Sequence, residues 1–335
     1  MLNKEDILQT SMAFMESKLV LSSVELGLYD LLHKRSLTAI QIAEKLGLHK
    51  IKIYDFLDAL LSMSYLERKG DGETALYTNS MSSDDYLVSS SDDYIGGMLI
   101  MSSRRLYKYW HHLPEALQSG KAQSEVKESG KHLFETMYED SSKLYDFCKA
   151  MESLSRENFQ AFSEKFDFAG IDNHLDIGGS LGVLSRKILE KNPHINCHSL
   201  DLPKVTELAK KENPNTQIKF LAGDMFSSDM PVVDSISLGL ILHDWSVEDK
   251  KTIIKRAFAH LKPGGKLIVI ENIIDDERRE NTFGLLMSLN MLVEFGEAFD
   301  FSKKDFIPWA TEAGFSKVEK IHLNGPCSAL IAHKG

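Results

Sequence analysis

The sequence predicts an α/β fold, a Rossmann-like sheet with helices on both faces, preceded by a mainly helical N-terminal domain. Three observations predict it. At 335 residues the chain exceeds the usual size of one domain. After Gly170, short apolar runs alternate with helical patterns, the rhythm of parallel strands joined by crossover helices. Before Gly170 the periodicity is helical, interrupted by two short apolar segments around a glycine-containing turn. The expected domains are 1–100 and 101–335, with the helices of 101–166 belonging to the second.

From Ser11 to about Leu61, apolar residues recur at three- and four-residue intervals. Leu19, Val20, Val24 and Leu28 make a stripe that the small N-terminal unit does not obviously cover by itself, so a homodimer is expected. Thr38 and Gln41 can form a capping box for a helix from Ala39 to Leu46, which Gly47 ends. A second helix runs from Lys50 to Met63. Tyr65–Arg68 and Ala75–Thr78 flank the turn 69–73 and read as a hairpin. Helix, turn, helix, hairpin is a winged-helix arrangement. Ser80 to Ser91, rich in serine and aspartate, reads as a polar connection. Helices are expected over Leu106–Leu117, Leu133–Met151 and Leu154–Phe166.

Composition narrows the function. The net charge of −10 opposes nucleic acid and anionic lipid. The second helix of the winged unit carries only Lys50 and Lys52 against Asp55 and Asp58, which argues against DNA recognition. Cys148, Cys197 and Cys327 are an odd number without CxxC spacing, which argues against a disulfide framework or a zinc or other metal site and fits a reducing cytoplasm. The N-terminus has no basic cluster followed by an apolar run, and no segment approaches eighteen uncharged apolar residues, so neither export nor a membrane is expected.

In the second domain, strands are expected over His174–Ile177, Asn196–Leu200, Ile218–Ala222, Ser235–Leu242 and Lys266–Glu271. Helices Val183–Lys191, Thr206–Glu212 and Val247–Leu261 fall between them, and the turn Lys262-Pro263-Gly264-Gly265 leads into the last strand. The first strand runs into Asp176-Ile177-Gly178-Gly179-Ser180-Leu181-Gly182. Gly178 and Gly179 there let the backbone turn sharply and approach a ligand at the carboxyl edge of the sheet. Asp201 ends the second strand, where a carboxylate can accept both ribose hydroxyl hydrogens. The loop lacks the G-x-G-x-x-G spacing that faces a pyrophosphate. After the third strand, Asp224 could accept from an adenine amino group, with Met225 on the ring face. Adenosine without phosphate points to S-adenosylmethionine.

These motifs, with Leu200-Asp201-Leu202-Pro203, Gly223-Asp224-Met225-Phe226, His243-Asp244-Trp245, Leu261-Lys262-Pro263-Gly264-Gly265 and Ala313-Gly314-Phe315, occur in an order and spacing that resemble the plant-type small-molecule O-methyltransferases and their bacterial relatives. Caffeic acid and hydroxyindole O-methyltransferases are examples. Val24 to Leu32 and Ile42 to Gly47 resemble that family's winged-helix segment, which implies homodimerisation. The resemblance implies a class I methyltransferase sheet and S-adenosyl-L-methionine as cofactor, held by Gly178, Gly179, Asp201, Leu202, Asp224 and Met225.

It also implies the chemistry. A sulfonium methyl is already activated, so the protein must place a nucleophile in line and, for a hydroxyl, remove a proton. His243, in the family's histidine motif after the fourth strand, is the candidate general base, and Glu271 matches the carboxylate that orients it. Asp300 aligns with a further acidic position, with Glu297 as the alternative, because Gly296-Glu297-Ala298-Phe299-Asp300-Phe301-Ser302 departs from the Gly-Lys-Glu-Arg-Thr of relatives. Gly239 departs too, where many plant relatives carry lysine. Met287, Asn290 and Met291, on a helix from Phe283 to Phe295, with Phe147 and Met151, could line a flat apolar acceptor pocket, Asn290 supplying one polar contact. O-methylation of a small hydroxylated, aromatic metabolite is the leading expectation. C- or N-methylation, a non-methylating enzyme of the same fold, and a winged-helix ligand-sensing regulator are the alternatives.

Overall fold

A computed structural model describes residues 2–129 and 141–335. Two compact units emerge, one of residues 1–108 with 149–154, the other of 109–148 with 155–335.

In the first unit, a helix over Lys4–Glu25 starts on an Asn3–Asp6 capping box. Thr38 and Gln41 cap Ala39–Lys45 reciprocally, and Ile53–Ser62 follows. Strands β1 (Leu37–Thr38), β2 (Leu66–Lys69) and β3 (Leu76–Asn79) pair antiparallel in the order β1-β3-β2. Leu28, Leu32, Ile42, Leu57 and Leu60 are fully buried among them. The N-terminal stripe needs correcting: Val24 and Leu28 are buried in this unit's own core. The first helix also carries exposed apolar side chains, Ile7, Leu8, Met12, Phe14 and Met15, nearer its N-terminus. The expected polar connection also contains a helix, Met81–Leu87, because the Ser80 side chain accepts from the Ser83 amide and caps it.

The two long helices expected between Leu133 and Phe166 form one, Ser141–Lys165, over the described residues. Leu133 and Phe134 lie outside those residues. At the expected junction, Ser153 Oγ donates to the Ala150 carbonyl at 2.8 Å, so the polar group is satisfied within its own helix. The helix expected over Leu106–Leu117 is divided instead, into Tyr107–Trp110 and Leu113–Ser119, with Pro114 at the start of the second, where its missing N–H costs nothing.

The second unit is built on seven strands: β4 (Asn173–Ile177), β5 (Asn196–Asp201), β6 (Lys219–Ala222), β7 (Val233–Gly239), β8 (Leu261–Glu271), β9 (Phe315–His322) and β10 (Ser328–Lys334). Their order is β6-β5-β4-β7-β8-β10-β9. β4 to β8 are parallel, and β10 runs antiparallel to both β8 and β9. Parallel strands buried on both faces read as continuous apolar runs, as Leu267, Ile268, Val269 and Ile270 do at full burial. The chain reverses its direction of travel across the sheet between β4 and β7, and such a switch point opens a crevice at the carboxyl ends of the strands.

Strand boundaries differ from expectation at two places that matter. β7 ends at Gly239, and Leu240 takes a left-handed φ of 57°, so a short turn over Leu242–Asp244 rather than the strand carries His243. The strand assignment of β8 extends from Leu261, and its register with β7 jumps from Val233↔Leu261 to Ser235↔Lys266, so Lys262–Gly265 bulges within it.

Candidate active site

The loop after β4 is shaped by backbone conformations that few side chains tolerate. Gly178 has φ 69° and Gly182 φ 75°, and a Cβ at Gly178 would lie 2.2 Å from Ile241 Cδ1. A Cβ at Gly179 would lie 2.3 Å from Ser199 Oγ and 2.8 Å from Asp176 Oδ2. The loop therefore presents bare backbone. Its amides tie it to β5: Gly178 N donates to the Leu200 carbonyl at 2.8 Å, and Ser180 N to Asp201 Oδ2 at 2.9 Å.

Asp201 ends β5 with its carboxylate gripped at both oxygens. Oδ1 accepts from Leu202 N at 2.7 Å and Oδ2 from Ser180 N. Each oxygen keeps a further lone pair for a hydroxyl hydrogen. Burial pushes the carboxyl up to about 6, against the lowering effect of the two amides. Asp224 binds within its own turn, accepting from Phe226 N and Ser227 Oγ at 2.9 and 2.8 Å. Arg256 fastens the same turn by donating to the carbonyls of Met225 and Ser228 at 2.7 and 2.5 Å. Sequence reasoning did not single out Arg256, whose role depends on a helix returning to the loop.

Beneath the glycine loop lies a buried polar chain that was also missed. His174 Nε2 is 3.0 Å from Ser237 Oγ and its Nδ1 2.8 Å from Ser235 Oγ. Ser237 Oγ donates to Asp176 Oδ1 at 2.6 Å, so its oxygen is left to accept from Nε2–H while Nδ1 accepts from Ser235. Complete burial holds the imidazole neutral, with its pKa lowered to about 3, and pushes Asp176 up to about 7.

His243 sits on the turn after β7. Its Nδ1 lies 2.6 Å from Glu271 Oε2 at the end of β8, and its Nε2 3.2 Å from Asp244 Oδ1. Glu271, 1% exposed, spends its other oxygen on the amides of Ile241 and His243, at 3.1 and 3.3 Å. The carboxylate thus fixes both the ring and the turn that carries it. Desolvation of His243 favours its neutral form, but the charges of Glu271 and Asp244 outweigh it and hold the pKa well above the ordinary histidine value.

Asp300 completes the cluster: a nitrogen of His243 and one oxygen each of Glu271 and Asp300 all fall within 4.8 Å of one another. Among the described residues neither Asp300 oxygen has a hydrogen-bond partner, and burial pushes its carboxyl up to about 7. Glu297, the alternative, is exposed. Lys250, also not singled out from sequence, is wholly buried beside these groups, its Nζ donating to the Trp245 carbonyl at 2.5 Å.

The candidate acceptor residues fare unevenly. Met291 is buried, Met287 is half-buried, and Phe147 and Met151 lie on Ser141–Lys165, Met151 in the part belonging to the first unit. The amide of Asn290 already has a partner at each end. Trp110 Nε1 donates to its Oδ1 at 2.7 Å, and its Nδ2 donates to Glu294 Oε1 at 2.5 Å. Gly239 is explained by packing: a Cβ there would lie 2.8 Å from Cζ of Phe159, whose ring fills the space a longer side chain would need.

Residues 110–316 match the family model for the O-methyltransferase domain, and 8–89 the O-methyltransferase dimerisation domain. The chain is 32% identical to the tetracenomycin polyketide synthesis 8-O-methyl transferase TcmO of Streptomyces glaucescens, over 98% of this chain and 96% of that protein. It is 29% identical to the N,N-dimethyltransferase OxyT of Streptomyces rimosus, over 92% and 90%. The crystal structure of human N-acetylserotonin methyltransferase in complex with SAM superposes with a TM-score of 0.93 at 28% identity, covering 100% of this chain and 99% of that one.

Proposed function

This chain belongs to the O-methyltransferase family, and we propose that it transfers a methyl group from S-adenosylmethionine to a hydroxyl of a small, aromatic metabolite, with His243 as general base. The observation that carries this reading is the imidazole of His243, clamped by Glu271 at the same sheet edge as the glycine loop and Asp201.

The residues at that edge fit the cofactor. Asp201 retains one lone pair on each oxygen for ribose hydroxyls, the loop at Gly178 and Gly179 is bare, and Leu202, Asp224 and Met225 follow the neighbouring strands. When bound, the cofactor supplies an electrophilic methyl on a sulfonium whose sulfur leaves as a neutral thioether. The chain's own task is to place the acceptor oxygen in line and accept its proton. That proton goes to Nε2 of neutral His243 while Glu271 holds Nδ1–H and keeps the tautomer fixed. Asp244 stands at Nε2 in this structure, so an acceptor hydroxyl takes its place there. Asp300 adds a buried acidic group to the cluster, and Phe147, Met287, Asn290 and Met291 are the proposed acceptor contacts.

The test is a metabolite panel incubated with labelled S-adenosylmethionine and scored for mass shifts of one methyl. Hydroxylated aromatics are expected to react. Likeness to OxyT, named as an N,N-dimethyltransferase, favours a second reading in which the acceptor is an amine. Amines alone reacting, with His243→Gln leaving their rate intact, selects that reading.

We further propose a cytoplasmic homodimer. The dimerisation-domain match over 8–89 and the uncovered Ile7, Leu8, Met12, Phe14 and Met15 support the dimer. No helix among the described residues is long and apolar enough to cross a membrane. Sedimentation of the full chain at tens of micromolar is expected to give twice the monomer mass, and a monomer would refute the assignment.

A further inference from the structure

Lysine is almost never fully buried without a partner that compensates its charge, yet Lys250, on the helix Val247–Ala259, is 0% exposed. Its Nζ donates to the Trp245 carbonyl at 2.5 Å and stands 3.7 Å from the centroid of the Phe299 ring. Both contacts favour a cation, the second through the ring's negative face. Phe299 and Trp245 are each one residue from a member of the acidic cluster, Asp300 and Asp244. Glu271, Asp300, Asp244 and Asp249 are the acidic groups whose field reaches the ammonium.

Three of those carboxylates also surround His243: Glu271 from the end of β8, Asp244 from its own turn, and Asp300 from the segment before the helix Lys303–Ala313. Two cations, an imidazolium and an ammonium, therefore compete for one anionic cluster. We propose that Lys250 is a positioning residue of the proton-accepting site: its buried charge, held at the Trp245 carbonyl and the Phe299 ring beside Asp244 and Asp300 in the chain, leaves the imidazole able to be neutral when the acceptor arrives. The inference rests on the reading of His243 as general base.

Electrostatics gives the sign. Three carboxylates around a single imidazole favour its protonated form, and a protonated ring accepts nothing. A fixed positive charge in the same water-poor region offsets part of that field, because charges interact more strongly there than in bulk water. Desolvation lowers the lysine's own pKa to about 8, and the acidic groups partly counter it, so the ammonium persists through neutral pH.

The experiment is an NMR titration of the His243 imidazole in the cofactor-free full chain, the resonance being assigned by its loss in His243→Gln. Lys250→Met keeps the length of the side chain and removes the charge, and an apolar replacement of a buried ion is often neutral or stabilising. The His243 midpoint is expected to rise by about 1 pH unit in Lys250→Met and to stay near wild type in Lys250→Arg. An unchanged midpoint in folded Lys250→Met overturns the inference. Should that variant fail to fold, Lys250→Gln, which keeps a donor for the Trp245 carbonyl, is read the same way. With an acceptor from the metabolite panel, the acid limb of kcat/KM should move by the same amount. A moved midpoint with an unmoved limb upholds the coupling of Lys250 to His243 and overturns the base assignment, so the two failures are distinct.

Discussion

Replacing His243 by glutamine is expected to lower turnover on an identified hydroxyl acceptor by about 10²–10⁴-fold, the contribution of a positioned general base. Affinity for S-adenosylhomocysteine should change little, and so should the melting temperature at pH above the raised histidine value, where the ring's charge no longer stabilises the fold. Among the described residues no hydrogen bond joins the imidazole to the glycine loop, and a glutamine amide can still donate to Glu271 Oε2, which now lies 2.6 Å from Nδ1. The pH dependence carries a second signature. Glu271 and Asp244 hold the imidazole pKa well above the ordinary histidine value, so in the free enzyme the ring is protonated at low pH and gains base activity only as pH rises through that raised value. kcat/KM should therefore climb on an acid limb above pH ~6.5, and that limb should vanish in His243→Gln. Turnover within a few-fold of wild type would mean that placement alone drives transfer.

The same raised value bears on stability. A histidine whose folded pKa exceeds its unfolded one stabilises the fold fully below the unfolded pKa and loses that contribution as pH rises through the folded value. The clamp on His243 thus favours the fold most where the residue is least able to act as a base. This is a local conflict of the kind expected at functional sites.

How far the site could be read from the sequence depended on whether its parts are near in sequence. Gly178, Gly179 and Asp201 were legible because a sharp turn after an apolar strand and a carboxylate one strand later each leave a local mark. His243 and Glu271 were legible through a resemblance that names their motifs. Asp300 and Glu297 could not be told apart, since three residues of loop give no periodicity; burial separates them in the fold. The His174 chain was invisible because parallel register creates it: His174 lies opposite Ser235 and Asp176 opposite Ser237, pairs 61 residues apart. Lys250 was passed over for a related reason. A lysine on an amphipathic helix reads as solvated, whereas in the fold the rings of Phe299 and Phe301 lie against it.

The fold shows the same division. Capping at Thr38 and the alternation after Gly170 were local and legible. The long helix Ser141–Lys165 was read as two, whereas Ser153, at the expected junction, bonds inside its helix. Strands β9 and β10 were not assigned. Ala329-Leu330-Ile331-Ala332 is a short apolar run, which periodicity alone cannot distinguish from a buried helix segment, and its antiparallel pairing with β8 decides the matter.

Replacing Asp201 by alanine is expected to weaken S-adenosylhomocysteine binding by at least about 10-fold, measured by calorimetry. A hydrogen bond to a charged acceptor contributes roughly 1.5–3 kcal/mol, and two ribose hydroxyls compete for one carboxylate, so the effects do not add. The variant also removes the acceptor that holds Ser180 N at 2.9 Å, loosening the loop in which Ser180 has a left-handed φ of 47°. Asp201→Asn separates these causes, because one amide oxygen can still accept from a backbone N–H while the charge is gone. If loop anchoring dominates, Asn recovers most of the affinity; if the charge dominates, Asn behaves like Ala. Wild-type affinity should fall as pH drops through about 6, because burial has raised the carboxyl to that value and the ionised form is the better hydroxyl acceptor. That dependence should be absent from both variants. Unchanged affinity in Asp201→Ala would remove the ribose assignment and, with it, the placement of the cofactor along the carboxyl ends of β4 and β5.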